Sequence, residues 1–139
     1  MDKKHLMEQL IDFEGLKLKP YKCTANKLTI GIGRNLDDVG ISENEAKFLL
    51  LNDIARVEKK AKTYSWYEKL NPVRQRVVCD MIFNLGNRFD QFKKMQAGLE
   101  TNNIDVVCKE MQNSKWFLDV GRRAVHLILL MRSGKDLGT

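Results

Sequence analysis

The sequence has few cysteines, and their spacing does not suit a disulfide framework or a structural metal site. Three occur among 139 residues, at Cys23, Cys79 and Cys108. An odd number without close spacing excludes both a disulfide framework and a zinc pattern. Free thiols indicate folding in a reducing compartment. The chain is long enough to bury a hydrophobic core without disulfides or a structural metal ion. We expect neither a metal nor a cofactor.

Long apolar stretches are also missing. The N-terminus, MDKKHLMEQLIDFEG, has no apolar run longer than two residues and therefore lacks the core of a signal peptide. No segment approaches the length that spans a bilayer. Repeats, Gly/Ser linkers and basic tails are absent from the sequence as well. These features predict one monomeric domain, made without a signal peptide and without stable membrane insertion.

The composition that is present is that of a soluble globular protein with a basic surface. Hydrophobic residues make up 43% of the sequence and charged residues 30%, with a formal net charge of +6. A positive balance indicates a negatively charged partner. Charge alone leaves nucleic acid, acidic lipid and bacterial cell wall open.

The first third of the chain combines a helix with a hairpin. Apolar side chains recur at helical spacing from about Lys3 to Glu14, and Gly15 predicts the end of that helix. Residues 16–23 and 28–34 then alternate with period two around a polar turn, which predicts two antiparallel strands. The alternation places Leu28, Ile30 and Ile32 toward a core. It places Thr29, Gly31 and Gly33 on the opposite face, where glycines allow a ligand to approach the backbone.

The remaining two thirds are predicted to be helical. Ser42 and Glu45 form a capping box that opens a helix of about 28 Å. Shorter helices are predicted from Asn71 to Gly86 and over Gln91–Glu100, Ile104–Gln112 and Arg122–Arg132. This order predicts an α+β chain. We expect an N-terminal lobe over about 1–42, a connecting helix over about 43–62 and an all-helical C-terminal lobe over about 63–139.

Glu14 is the candidate catalytic acid. The C-terminus of a helix carries a partial negative charge, which disfavours a nearby carboxylate anion. Burial in a cleft would act in the same direction, and both effects would raise the pKa of Glu14 as a general acid requires. Cys23 and Thr29 follow on the two strands, so the three residues are predicted to share one groove.

The spacing of these residues resembles the signature of the phage lysozymes, glycoside hydrolase family 24. In that family a Glu is followed after eight residues by Asp or Cys, and after five more by Thr. Glu14, Cys23 and Thr29 fit this spacing without a gap. Looser similarity extends over the helical part, in Leu70–Gln75, Met81–Gly86, Ser114–Phe117 and Arg123–Ala124.

The resemblance implies a lysozyme-like fold and an endolysin activity. The expected reaction is hydrolysis of the β-1,4 bond between N-acetylmuramic acid and N-acetylglucosamine. Such a bacteriophage protein is made in the host cytoplasm, acts on the cell wall after release and lyses the bacterium. Peptidoglycan glycan strands and the anionic wall are the implied partners, and nucleic acid is not.

The resemblance also implies roles for individual residues. Glu14 would protonate the glycosidic oxygen, while Cys23 would take the place of the second catalytic group and Thr29 would hold a water molecule. The resemblance further implies that Arg123 pairs with Glu14. It implies that Phe83 and Asn84 line the sugar cleft and that Asn35 lies near it. The apolar triplet around Phe83 also predicts a packing role for that side chain.

Two departures leave alternatives open. Cys23 stands where many relatives have Asp, and a free thiol with a pKa of about 8.5 is mostly neutral at pH 7. It would act as a base, a nucleophile or a water-positioning group, although the resemblance favours inversion with water as nucleophile. Arg34 stands where several relatives have His. The alternative functions are a lytic transglycosylase and a wall- or membrane-binding protein without catalysis.

Overall fold

The computed structural model describes residues 1–138, which divide into two compact units. The first comprises residues 1–49 and the second begins at Leu50. We call them the N-terminal unit and the helical unit. The division falls inside the long helix, so the lobe boundaries expected from sequence remain a prediction.

The N-terminal unit opens with helix α1, Lys3–Glu14. Asp2 caps it, because its carboxylate accepts a hydrogen bond from the His5 amide at 3.1 Å. Gly15 ends it with a φ of +73°, and its amide bonds to the Ile11 carbonyl at 2.8 Å. The predicted start and end of this helix are confirmed.

Three antiparallel strands follow in the order β1–β2–β3. They are β1 over Lys17–Lys22, β2 over Leu28–Gly31 and β3 over Arg34–Asn35. Thr29 lies in the middle, opposite Tyr21 on one side and Asn35 on the other. The predicted hairpin is confirmed, whereas the third strand was not predicted, because two residues are too short to show a period-two pattern.

The prediction that one side of the hairpin enters a core is wrong. Among the described residues of the N-terminal unit only Thr29 is buried, at 3% exposure, and Ile32 is 41% exposed. Alternation fixes which side chains share a face of a sheet, but it does not show whether anything covers that face. Helix α1 buries no residue either.

Helix α2 spans Glu43–Ala61 and begins at the predicted capping box. The Glu45 amide donates to the Ser42 hydroxyl at 3.1 Å, and the Ser42 amide donates to Glu45 Oε1 at 2.9 Å. These reciprocal hydrogen bonds satisfy two amides that the helix itself leaves unpaired.

The helical unit contains five further helices and two short 3₁₀ turns in its described part. The helices are α3 Pro72–Leu85, α4 Lys93–Glu100, α5 Ile104–Gln112, α6 Lys115–Val120 and α7 Arg122–Ser133, with the turns at Tyr67–Lys69 and Gly86–Gln91. Asn71 caps α3 by accepting from the Arg74 amide at 2.9 Å. Gly134, in the left-handed region, ends α7.

All buried hydrophobic residues described in the structure belong to the helical unit. They lie between Ala61 and Met131 and include Val77, Val78, Met81, Phe89, Met95, Val107 and Met111. The α+β class and the helical C-terminal part are therefore confirmed. Within residues 1–138 no helix combines the length and the hydrophobicity needed to cross a membrane.

Candidate active site

Glu14 is the last residue of α1, and its carboxyl group lies against the backbone of Gly33. A β-carbon built on Gly33 would be 2.8 Å from Glu14 Oε2 and 3.0 Å from Cδ. Glu14 is exposed, and within the described N-terminal unit no group donates a hydrogen bond to its carboxylate. The helix end therefore presents a carboxyl group that lies close to the glycine after strand β2.

Cys23 begins the turn between β1 and β2. Its amide donates to the Lys27 carbonyl at 3.0 Å, and its own carbonyl accepts from the Asn26 amide at 2.8 Å. Hydrogen bonds from the backbone of Lys27, then of Ala25, lower the pKa of the half-buried Cys23 thiol. The turn thus favours the thiolate, as a base or nucleophile at this position requires.

Thr29 joins the Cys23 turn to the centre of the sheet. Its hydroxyl donates to the Lys27 carbonyl at 2.8 Å, and this same carbonyl closes the turn. A hydroxyl has one proton to donate, so its oxygen is left as an acceptor. Cys23 and Thr29 are therefore brought together, as the spacing predicts.

Asn35 lies beside Thr29 in the sheet, but its side chain is engaged in the following turn. Its amide donates to Asp38 Oδ2 at 2.9 Å, and its oxygen accepts from the Asp38 amide at 2.9 Å. The geometry is that of an asparagine that shapes its own turn. Its predicted proximity to the sugar remains a prediction.

Arg34 connects strand β3 to the start of α2. Its Nη1 lies 2.8 Å from Glu45 Oε1 and 3.1 Å from the Gly40 carbonyl oxygen. The hydrogen bond from Arg34, assisted by the Ser42 amide, lowers the pKa of Glu45 to about 2. The residue that departs from the family pattern thus orders the loop after the candidate site.

Phe83 and Asn84 each line a separate cavity of the helical unit. Phe83 is 47% exposed and borders a cavity of about 330 Å³ beside Arg56 and Lys60. The packing role predicted for Phe83 is therefore wrong, because it faces away from the core at the exposed side of α3. Asn84 borders a cavity of about 690 Å³ and accepts a hydrogen bond from the Trp116 indole at 2.9 Å.

Arg123 is held by a carboxylate of its own unit. Its Nη2 lies 2.6 Å from Asp80 Oδ1, and its Nε donates to the same oxygen at 2.8 Å. Asp80, on α3, was not predicted to be the partner of Arg123, but its carboxylate pairs with the guanidinium group. The predicted pairing of Arg123 with Glu14 remains a prediction.

The family model described as phage lysozyme matches residues 11–133. The chain belongs to the phage lysozyme family. The match covers both units, from within α1 to the end of α7, and it confirms the lysozyme-like fold expected from the Glu14, Cys23 and Thr29 spacing.

Individual relatives of this phage lysozyme family member agree with that assignment. An endolysin of Acyrthosiphon pisum secondary endosymbiont phage 1 is 35% identical over 78 residues, which cover 53% of this chain and 52% of that protein. Two probable T4-type lysozymes of Dictyostelium discoideum are each 26% identical over 152 residues, covering 87% of this chain and 89% of each relative. The chain thus spans about half of the endolysin and most of the other two.

Gly33 is the site residue of this family member whose role the sequence did not reveal. The alternation in the hairpin predicted that a ligand approaches the backbone on the glycine face. In the structure the Glu14 carboxyl group occupies the space beside Gly33. A glycine with positive φ just after a strand was the available signal. Among residues 1–138 no cluster of three or more His, Cys, Asp or Glu side chains could hold a metal ion.

Proposed function

We propose that this chain is a muramidase that hydrolyses the β-1,4 bond between N-acetylmuramic acid and N-acetylglucosamine in peptidoglycan. One observation carries the proposal: the Glu14 carboxyl group lies against Gly33, in the turn that follows the strand of Thr29, and that strand pairs with the one leading to Cys23. Family membership and the endolysin relative support a cell-wall glycan as the substrate.

The proposed reaction uses Glu14 as the general acid. Its proton passes to the glycosidic oxygen as the bond from that oxygen to the muramic anomeric carbon breaks. A water molecule adds to the anomeric carbon, and its proton goes to the Cys23 thiolate. Thr29, with its proton donated to Lys27, would accept a hydrogen bond from that water.

The lowered pKa of Cys23 favours hydrolysis over the transglycosylase alternative. A transglycosylase closes an anhydro ring with the substrate's own hydroxyl and has less need of a second protein group. Backbone hydrogen bonds that lower the pKa of a thiol on the hairpin after the candidate acid suit the activation of water instead. Cys23 as base is therefore the role that we propose, with inversion as the stereochemical outcome.

The basic surface is proposed to hold the enzyme on its substrate. A net charge of +6 attracts the anionic wall, and the attraction weakens as salt screens it. We propose that Phe83, Asn84 and Arg123 contact the glycan, with Asn35 shaping the turn beside it. Acting on the wall requires release from the cytoplasm in which we propose the protein is made.

The test is muropeptide analysis of purified peptidoglycan after digestion. Wild type should yield reducing muramic acid ends, and Glu14→Gln should yield none, because an amide cannot deliver the proton. Glu8→Gln, a substitution of another exposed glutamate on α1, is the matched control and should cleave like wild type.

Two outcomes would overturn the proposal. Anhydro-muramic ends from the wild-type digest would assign the chain to the transglycosylases. Clearing of permeabilised bacteria by Glu14→Gln at the wild-type rate would show that lysis needs no catalysis, as for a protein that only binds the wall or the membrane.

A further inference from the structure

Gly33 and Glu14 share a contact that leaves no room for a side chain. A β-carbon on Gly33 would lie 2.8 Å from Oε2, 3.0 Å from Cδ and 3.2 Å from Cγ of Glu14. Carbon and oxygen atoms that are not bonded pack at about 3.5 Å or more. All three close atoms belong to the end of one side chain, so the space beside Gly33 is filled by the candidate catalytic group.

This contact limits where the Glu14 carboxyl group can lie. Within the described N-terminal unit no hydrogen bond holds that carboxylate, and the side chain is exposed. An exposed glutamate without a partner samples several rotamers. Because the backbone of Gly33 supplies a surface without a side chain, the carboxyl group can rest there, close to the strand that leads from Thr29.

We infer that Gly33 is a positioning residue for Glu14, which sets the location of the catalytic carboxyl group by providing the space that a β-carbon would fill. The inference rests on the proposed function. It differs from the expectation that glycine serves the close approach of the ligand, since here the neighbour of Gly33 is the protein's own acid.

Two effects of a substitution at Gly33 must be separated. Its φ is +68°, so any L side chain is strained there whatever the space. Gly40 has nearly the same φ, +65°, but nothing lies within 4 Å of a β-carbon built on it. Gly40→Ala therefore reports the backbone strain alone, and Gly33→Ala adds displacement of Glu14.

The first experiment measures kcat and KM on soluble glycan fragments for Gly33→Ala and Gly40→Ala. Displacement of a reacting group by about 1 Å costs about 100-fold. Gly33→Ala should therefore lose about that factor in kcat with little change in KM, and Gly40→Ala should keep the wild-type rate. An equal loss of kcat in Gly33→Ala and Gly40→Ala would be explained by backbone strain alone and would overturn the inference.

The second experiment needs no activity. In protein labelled with ¹³C at glutamate side chains, the carboxyl resonance of Glu14 should change in Gly33→Ala and stay as in wild type in Gly40→Ala. An unchanged Glu14 resonance in Gly33→Ala would overturn the inference even if activity fell.

The third experiment separates positioning from ligand approach. Chitooligosaccharide binding is measured in Glu14→Gln and in the Glu14→Gln, Gly33→Ala double variant. Equal affinity supports positioning, and loss of affinity in the double variant shows that Gly33 serves the ligand instead. Full activity of Glu14→Gln would refute the proposed function, whereas an inactive Glu14→Gln with an unaffected Gly33→Ala refutes only this inference.

Discussion

Arg34 and Glu45 form an ion pair in which Nη1 lies 2.8 Å from Oε1, and this pair ties strand β3 to the first turn of α2. The same carboxylate oxygen closes the capping box by accepting from the Ser42 amide. One acidic side chain therefore stabilises both the helix start and the loop after the candidate site. These two contacts, the one with Arg34 first, lower the pKa of Glu45 to about 2.

The first prediction concerns pH. The folded pKa of Glu45 lies below its ordinary value of 4.5, so the stabilisation is fully present above pH 4.5 and is lost as the pH falls toward 2. Protection of the Ser42 amide, which donates to the Glu45 carboxylate, should decrease over that window once hydrogen exchange is corrected for the intrinsic rate. Arg34→Gln should raise the pKa of Glu45 and flatten the change.

The matched control for this prediction is Lys47→Gln. Lys47 pairs with Glu43 on the same helix turn at 3.1 Å, but both side chains are mostly exposed. Exposed pairs of this kind contribute little. A wild-type pKa of Glu45 in Arg34→Gln would show that Arg34 is not the cause of the shift.

A second prediction concerns the reactivity of the three cysteines. Backbone hydrogen bonds lower the pKa of Cys23, whereas burial raises the pKa of Cys79 and of Cys108. Because the thiolate is the reactive form, iodoacetamide at pH 7 should modify Cys23 first. Peptide mapping by mass spectrometry over time measures the order, and equal rates at Cys23 and Cys79 would contradict it.

The same reagent tests the role of Cys23 in the reaction. Alkylation should abolish activity, and the Cys79→Ala, Cys108→Ala double variant should be as sensitive as wild type. Cys23→Asp should retain measurable hydrolysis, because a carboxylate can also accept the proton from water, and Cys23→Ala should retain much less. Full activity after stoichiometric modification of Cys23 would exclude any role in the site.

A third prediction concerns the end of α7. Arg74 Nε donates to the Met131 carbonyl at 2.7 Å, and its Nη2 donates to the Arg132 carbonyl at 3.0 Å, which satisfies two carbonyls that a helix end leaves free. Arg74→Ala should lower the free energy of unfolding by about 2 kcal/mol or more. Urea denaturation measures it.

Arg132→Ala is the comparison for Arg74→Ala. Arg132 pairs through its side chain with Asp105 at 3.1 Å, and that carboxylate is 91% exposed. Its loss should change the free energy of unfolding by less than about 1 kcal/mol. Similar effects of the two substitutions would mean that the carbonyl contacts of Arg74 are unimportant.

A fourth prediction separates the structural role of Asn84 from its proposed contact with the glycan. Trp116 is 4% exposed, and its indole N–H has Asn84 Oδ1 as acceptor. Asn84→Ala leaves that buried donor unpaired and should cost about 1–3 kcal/mol in thermal or urea unfolding. Asn84→Asp keeps the acceptor and should unfold near wild type.

Activity then decides the remaining question about Asn84. If Asn84→Asp is stable but hydrolyses soluble glycan more slowly, the side chain contacts the substrate. Wild-type activity in that variant would assign Asn84 to supporting Trp116 alone.

The helix boundaries were predictable because short-range chemistry determines them. Gly15 ends α1, Ser42 and Glu45 begin α2, and Asn71 begins α3, each through groups within four residues in sequence. The joint spacing of Glu14, Cys23 and Thr29 likewise predicted the family, because a helix end and two paired strands constrain the number of residues between these positions.

Contacts between distant parts of the chain were not predictable. The residues around Gly33 do not predict Glu14 as its neighbour. The residues around Arg123 do not predict that it pairs with Asp80 rather than with another acidic residue. Phe83 shows the same limit, since an apolar triplet on a helix indicates burial for the set but not which member turns outward. Such pairings depend on tertiary packing, which a single sequence does not encode locally.

The uneven distribution of buried hydrophobic residues affects how any variant of this protein should be screened. Heat capacity and enthalpy changes on unfolding scale with the apolar surface that becomes exposed, and the described hydrophobic core lies wholly between Ala61 and Met131. A calorimetric trace will therefore report chiefly on that segment. Substitutions at Glu14 or Cys23 are therefore expected to change activity with little change in the melting curve, so a thermal-shift screen would not detect them.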